Sequence, residues 1–134
     1  MTTLTTTVFS SPKRGIGGRS SYRGNHPPTL SAAVFDWLKP ALVADPMCGS
    51  GTTGDAARAA GISVWEGDLR LGFNALMDEI PVSPDLAWLH PPYHDMIVYR
   101  GQVWGNQPHE ADLSRAPSYE NFLKRLNTVQ YNAY

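Results

Sequence analysis

The stretch DPMCGSGTTG, residues Asp45 to Gly54, decides how this chain is read. It follows Ala41-Leu42-Val43-Ala44, an apolar run of strand length, and leads into DAARAA, residues 55–60, a strong helix former stopped by Gly61. A glycine-rich turn between a strand and a helix aims backbone N–H groups and a helix N-terminus at a ligand. Two nucleotide-binding readings compete. A phosphate-binding loop has GxxxxGK followed by Ser or Thr. Gly49 and Gly54 have that spacing, but Asp55-Ala56 stand where the lysine and hydroxyl belong. A phosphate there loses its cation and meets a carboxylate, so that reading fails. The fingerprint GxGxxG fits Gly49-Ser50-Gly51-Thr52-Thr53-Gly54, although the same pattern also occurs as a tight turn with no ligand.

Elements on either side extend the pattern. Asn25-His26-Pro27-Pro28 is a breaker, after which Thr29 or Ser31 caps a helix to Leu38 with Val34, Phe35, Trp37 and Leu38 on its apolar side. Lys39-Pro40 ends it. A second strand is expected over 62–65, a short helix over 73–80, a third strand over 86–89, a loop over 101–114 and a last helix from Ser118 to about Tyr131. Helix and strand alternate, which implies an α/β fold with a parallel sheet.

Acids flank the turn. Asp45 closes the first strand, and Asp68 lies just past the second, where a carboxylate accepts hydrogen bonds from ribose hydroxyls. Two acids and no lysine suit a ligand with a ribose and a cationic end rather than a pyrophosphate. S-adenosylmethionine is such a ligand.

Length and composition bound the rest. A chain of 134 residues makes at most one domain, and 11 prolines and 12 glycines favour turns over long helices. No apolar run approaches the roughly 18 residues of a membrane helix, so no membrane role is expected. The N-terminus lacks the basic start and apolar core of a secretory signal. Cys48 is the single cysteine, so no internal disulfide or cysteine zinc site is available, and a cytoplasmic setting is expected. Net charge is −1, but residues 1–35 carry Lys13, Arg14, Arg19 and Arg23 with no acid, which suggests contact with phosphate. Residues 1–24 are expected as a flexible basic arm, and 25–134 as the folded body.

DPMCGSGTTG resembles the DPxxGSGTT motif of the S-adenosylmethionine-dependent DNA amino-methyltransferases, the family that methylates adenine N6 or cytosine N4. His90-Pro91-Pro92-Tyr93 resembles their second motif, Asp, Asn or Ser followed by Pro-Pro-Tyr. The likeness extends to GNHPPTLSAAVFDWLKP before the turn, to DLRLGFN after the second strand, and to DLS ahead of the last helix, so it spans about residues 22–131. It implies a partial Rossmann-like methyltransferase sheet, the N-terminal half, with about three to four parallel strands and flanking helices. It implies S-adenosylmethionine as cofactor, held by His26, Pro27, Asp45, Pro46, Met47, Cys48, Gly49, Ser50, Gly51, Thr52, Thr53, Asp68 and Asn74, with no metal.

The resemblance also gives His90 to Tyr93 a catalytic role. The amine of a base is conjugated with its ring, so its lone pair is poorly available. The first residue of the motif and the Pro91 carbonyl accept hydrogen bonds from the amine and aim its lone pair at the methyl group, which is catalysis by positioning. The prolines fix φ and remove backbone donors. Tyr93 stacks on a base rotated out of the DNA duplex. His90 departs from the motif: a neutral imidazole still accepts one hydrogen bond, and protonation abolishes that acceptor.

Other readings stay beside this one. Enzymes that methylate an RNA guanine or a protein glutamine share an Asn-Pro-Pro-Tyr loop, and a catalytically silent module binding S-adenosylmethionine or nucleic acid fits His90. The strands that complete the family's sheet have no counterpart here, so a fragment, a half completed by another chain, or a remnant is expected, and with it self-association or a complementing chain. DNA is the expected partner, in restriction-modification or phage defence. Cys48 is expected as a small packing residue, since no base is near it in sequence. His94 and Asp95 are either substrate contacts or solvent-exposed. Trp37, Trp65 and Trp88 are expected in the core, and Trp104 at nucleic acid or over the pocket.

Overall fold

A computed structural model describes residues 8–99 and 108–134. The elements are α1 (Pro28–Leu38), β1 (Leu42–Asp45), α2 (Thr52–Ala59), β2 (Ser63–Glu66), β3 (Leu86–Ala87) and α3 (Tyr119–Ala133). Three strands form one all-parallel open sheet in the order β2-β1-β3. This is a small α/β fold, compatible with part of a Rossmann-like sheet.

Each helix has a local reason for its ends. Pro28 takes the first position of α1, where its missing N–H is no loss. Lys39 turns left-handed at φ 50° and donates its N–H to Phe35 O at 2.8 Å, and Pro40 follows. At the end of α2, Gly61 (φ 70°) donates to Arg58 O at 3.1 Å and Ile62 to Ala57 O at 2.9 Å, a Schellman pair. Ser118 caps α3 by accepting the Asn121 N–H at 3.1 Å.

β1 lies between the other two strands and is apolar because both its faces are covered. Side chains alternate along it. Val43, aligned with Val64 and Leu86, faces a core with Phe35, Ala56, Ala57 and Trp88. The next row, Ala44 with Trp65 and Ala87, faces the other way. Trp65 meets Phe73 edge-on at 4.8 Å there. Phe73, Met47 and Leu89 pack against a second core of Ala75, Leu113, Ala116, Phe122 and Val129. Phe122, Leu126 and Val129 repeat at helical spacing, which turns α3 onto that core.

Three expectations change. The helix expected over 73–80 does not form. Asn74 Oδ1 accepts the Leu76 N–H at 3.0 Å and Asp78 Oδ2 accepts the Asn74 N–H at 2.7 Å, so side chains tie the backbone into a turn. The third strand is shorter than 86–89, although Asp85 and Trp88 still donate to Leu42 O and Ala44 O at 2.9 and 2.8 Å. Three parallel strands are present among the described residues, the lower end of the expected range. Trp37 and Leu38 are 47% and 46% exposed, because α1 turns Ser31 and Phe35 inward instead. Trp104 and the first part of the expected 101–114 loop lie outside the described residues. Among the described residues no helix is long and apolar enough to cross a membrane.

Candidate functional site

The carboxyl ends of parallel strands gather on one side of a sheet, which is where open α/β folds bind ligands. Here β1 runs into the glycine turn and β3 runs into His90-Pro91-Pro92-Tyr93. One cleft is lined by both: by Asp45, Pro46, Met47, Cys48, Gly49, Ser50 and Thr52 on one wall, and by His90 and Pro92 on another. Asn25 and His26 line it from the segment before α1. Leu69, Phe73, Leu76 and Leu113 make its apolar floor.

The glycine turn is held from within. Gly67 N–H donates to Asp45 O at 2.8 Å and Cys48 N–H to Gly67 O at 2.9 Å, which extends the β1–β2 contact into the turn. Met47 N–H goes to Asp45 Oδ1 at 3.1 Å, Gly49 N–H to Asp68 Oδ2 at 3.0 Å, and Gly51 N–H to Cys48 O at 2.8 Å. Arg70 closes the other side, donating to Gly49 O at 2.7 Å. The expectation that the turn presents its N–H groups to a ligand is therefore corrected for these four residues. Glycine is required at two points: Gly49 and Gly51 are left-handed, at φ 52° and 83°.

Residues 14–25, ahead of α1, carry no helix or strand but cross this turn. Gly18 N–H donates to Asp55 Oδ2 at 2.8 Å and Arg19 N–H to Ser50 Oγ at 3.1 Å. Thr52 Oγ1 donates to Asn25 Oδ1. The Tyr22 ring lies over Gly49, and Tyr22 and Tyr99 meet with ring centres 5.8 Å apart, both on the cleft wall.

The ionisable carboxyls that line the cleft are two, Asp45 and Asp112, and Asp112 is paired with Arg115 at 3.3 Å. No lysine or arginine is among the lining residues. Burial pushes the Asp45 carboxyl up to about 7; Glu66 and Asp68 push the same way, and the Met47 N–H opposes them. Asp112 is 2% exposed; its Oδ1 accepts from Ser114 N and Oγ at 2.8 and 2.7 Å. Burial, then Asp68, Asp45 and Glu66, push the Cys48 thiol up to about 12, so Cys48 is no nucleophile at neutral pH.

At the second wall, His90 Nδ1 is 3.4 Å from His26 Nδ1, and His90 Nε2 is 3.3 Å from Tyr93 Oη. His26 Nε2 is 2.7 Å from Ser31 Oγ, and its ring packs on Trp88 at 5.1 Å. Burial lowers both imidazoles, His26 to about 4 with help from His90 and Arg14.

The structure thus brings ten of the sequence-based candidates to one cleft: His26, Asp45, Pro46, Met47, Cys48, Gly49, Ser50, Thr52, His90 and Pro92. Pro27, Gly51, Thr53, Asp68, Asn74, Pro91 and Tyr93 are not among its lining residues. Asp68 stands behind the turn and holds it. Asn74 is turned into its own loop. Thr53 is fully buried in the first turn of α2, and Tyr93 is 59% exposed. Tyr22, Asn25, Tyr99 and Asp112 line the cleft without having been singled out in the sequence. Glu66, the residue that ends β2, is a further acid, held by Arg58 at 2.9 Å. Among the described residues no three His, Cys, Asp or Glu side chains gather as a metal site.

Comparison of the chain with family models, curated proteins and solved structures gives no match in any of the three.

Proposed function

We propose that this chain carries the cofactor and catalytic motifs for S-adenosylmethionine-dependent methylation of an exocyclic amine of adenine or cytosine in DNA. The observation that carries the reading is the shared cleft: DPMCGSGTT and HPPY, with 36 residues between them in sequence, contribute Asp45 to Ser50 with Thr52, and His90 with Pro92, to one cavity. The donor set suits this cofactor. Asp45 favours a cation, while Asp112 is already paired with Arg115 at 3.3 Å, and the absence of a basic lining residue disfavours a phosphate. On this reading the sheet is part of a Rossmann-like methyltransferase sheet.

The cofactor supplies a methyl group on a sulfonium centre. Apolar Leu69, Phe73 and Leu113 exclude water from it, and Asp45 faces its positive charge. Tyr93, exposed beside the motif, stacks on a base drawn out of the duplex. His90 Nε2 and the Pro91 carbonyl accept the N–H bonds of the amine and aim its lone pair. With the cofactor bound, the amine so aimed would take the methyl group in line, its new N–C bond replacing the S–C bond, and the proton it sheds would leave to water.

A second reading has its own support. β2 and β3 are the outer strands of the sheet, and β3 has only two residues. Such a sheet suits a module that a second chain completes, whether another copy or a different partner. Calorimetric titration of S-adenosylmethionine, with tritiated methyl transfer to mixed duplex DNA in parallel, separates the two. Binding with transfer is expected. Binding without transfer favours the module, and no binding sinks both. RNA and protein acceptors in the same assay test the remaining methyl-transfer readings.

A further inference from the structure

A chain of polar side chains runs behind the HPPY motif. Ser31 Oγ, in the buried face of α1, meets His26 Nε2 at 2.7 Å. His26 Nδ1 meets His90 Nδ1 at 3.4 Å, and His90 Nε2 meets Tyr93 Oη at 3.3 Å. Two neutral imidazoles that face each other through Nδ1 have one proton to share, so the two tautomers are set together. Two arrangements are self-consistent. In one, Tyr93 O–H donates to His90 Nε2, His90 Nδ1–H donates to His26 Nδ1, and His26 Nε2–H donates to Ser31 Oγ. In the other every donor and acceptor is reversed.

The first arrangement is favoured by acidity. A phenolic O–H gives its proton to a hydrogen bond more readily than a neutral imidazole N–H does. We propose that His26 is a positioning residue: it accepts the His90 Nδ1–H and so keeps His90 Nε2 as the unprotonated acceptor that the target amine meets. This rests on the methyl-transfer reading for what Nε2 is used for. When Tyr93 swings onto a base, Nε2 loses the Tyr93 hydrogen bond and is already in the acceptor form.

The surroundings suit that task. Burial keeps both rings neutral, and Arg14 opposes a charge on His26 from the segment ahead of α1. Asp45, Cys48 and Asp112 line the same cleft as the two histidines, and Tyr93 faces His90 from its own loop. Trp88 packs against the His26 ring at 5.1 Å and fixes its plane.

The test begins without cofactor or DNA. Nitrogen-15 NMR of the wild-type side chains reads each tautomer directly. His90 is expected as the Nδ1–H form and His26 as the Nε2–H form, both neutral at pH 7.5. A wild-type His90 in the Nε2–H form overturns the proposal with no variant needed. His26→Leu removes the acceptor, and His90 is then expected to shift toward the Nε2–H form. His26→Asn, whose amide oxygen reaches the place of Nδ1, is expected to restore it. In the transfer assay at saturating cofactor, His26→Leu is expected to lower kcat by about tenfold or more. His26→Asn is expected to recover most of that loss. An unchanged kcat in His26→Leu overturns the proposal. If wild type transfers no methyl to any acceptor, the functional reading fails while the tautomer measurement still decides what His26 does to His90.

Discussion

The two walls of the cleft are built by different means. The glycine-turn wall continues β1, a four-residue strand paired on both sides, and its backbone is pinned by Gly67, Asp68 and Arg70. The HPPY wall continues β3, a two-residue outer strand, and is held by side chains: His26, His90 and Tyr93 at 3.3 to 3.4 Å. A wall whose own main-chain groups are tied down keeps its shape whatever is bound. A wall held between side chains can let Tyr93 swing away, which on the proposed function takes it onto a base. The difference suits one partner that is gripped and another that has to be drawn in.

The largest expected effect breaks the rigid wall. A Cβ on Gly67 stands 2.6 Å from Trp65 Cη2 and 2.9 Å from the Phe73 ring, and the two rings already pack edge-on against each other at 4.8 Å. Gly67→Ala is expected to cost up to about 3 kcal/mol in urea unfolding. A loss below about 0.5 kcal/mol means that the two rings are not fixed. Next comes the other wall. Tyr93 is exposed, so Tyr93→Ala is expected to leave stability within about 0.5 kcal/mol. Loss of base stacking, about 1–3 kcal/mol, is expected to reduce methyl transfer by roughly 5- to 150-fold. Unfolding and transfer measured on one preparation keep the two effects apart, and a Tyr93→Ala chain that unfolds instead refutes the contrast between the walls.

Asp68→Ala sharpens the comparison. It strips the acceptor from Gly49 N–H and Arg70 N–H, for an expected cost of about 1–2 kcal/mol. If Asp68 serves a ribose rather than the turn, cofactor affinity falls and the unfolding midpoint stays put.

Smaller still is the pH dependence of cofactor binding. The Asp45 carboxyl, raised to about 7 by burial, is largely protonated below that pH, and a cationic ligand prefers its ionised form. Affinity is therefore expected to rise about tenfold from pH 6 to pH 8, with proton release on binding seen as a buffer-dependent heat. The folded state binds this proton more tightly than the unfolded chain, so without ligand stability falls as pH rises from about 4 through about 7. Asp45→Asn is expected to flatten both curves. Last, Cys48, raised to about 12, is expected to resist iodoacetamide at pH 7.5 in the folded chain and to react once unfolded, as mass spectrometry will show.

Local signals in the sequence carried much of this. The strand before Asp45, the helix stop at Gly61 and the Ser118 cap are each set by neighbours, and each forms within a residue or two of its expected place. The expected 73–80 helix failed because Asn74 and Asp78 bond the nearby backbone, which apolar periodicity does not register. Asp68 was legible as an acid near the turn, but its partner depends on how β2 leads back toward Gly49. Tyr22, Tyr99 and Asp112 come from segments far apart in sequence, and only the tertiary fold puts them on one wall. The His26–His90 contact is of the same kind: both residues were visible, and their meeting was not.

The order β2-β1-β3 also has a consequence in time. The middle strand comes first in the chain, so both of its partners arrive later. The Val43–Leu86 pairing closes a loop about twice as long as Val43–Val64, which adds about 0.6 kcal/mol of closure entropy, and it is supported by two aligned pairs rather than four. β3 should therefore dock last and leave first, carrying HPPY with it. In native-state hydrogen exchange the Trp88 amide, bonded to Ala44 O, should exchange before the Gly67 amide, bonded to Asp45 O.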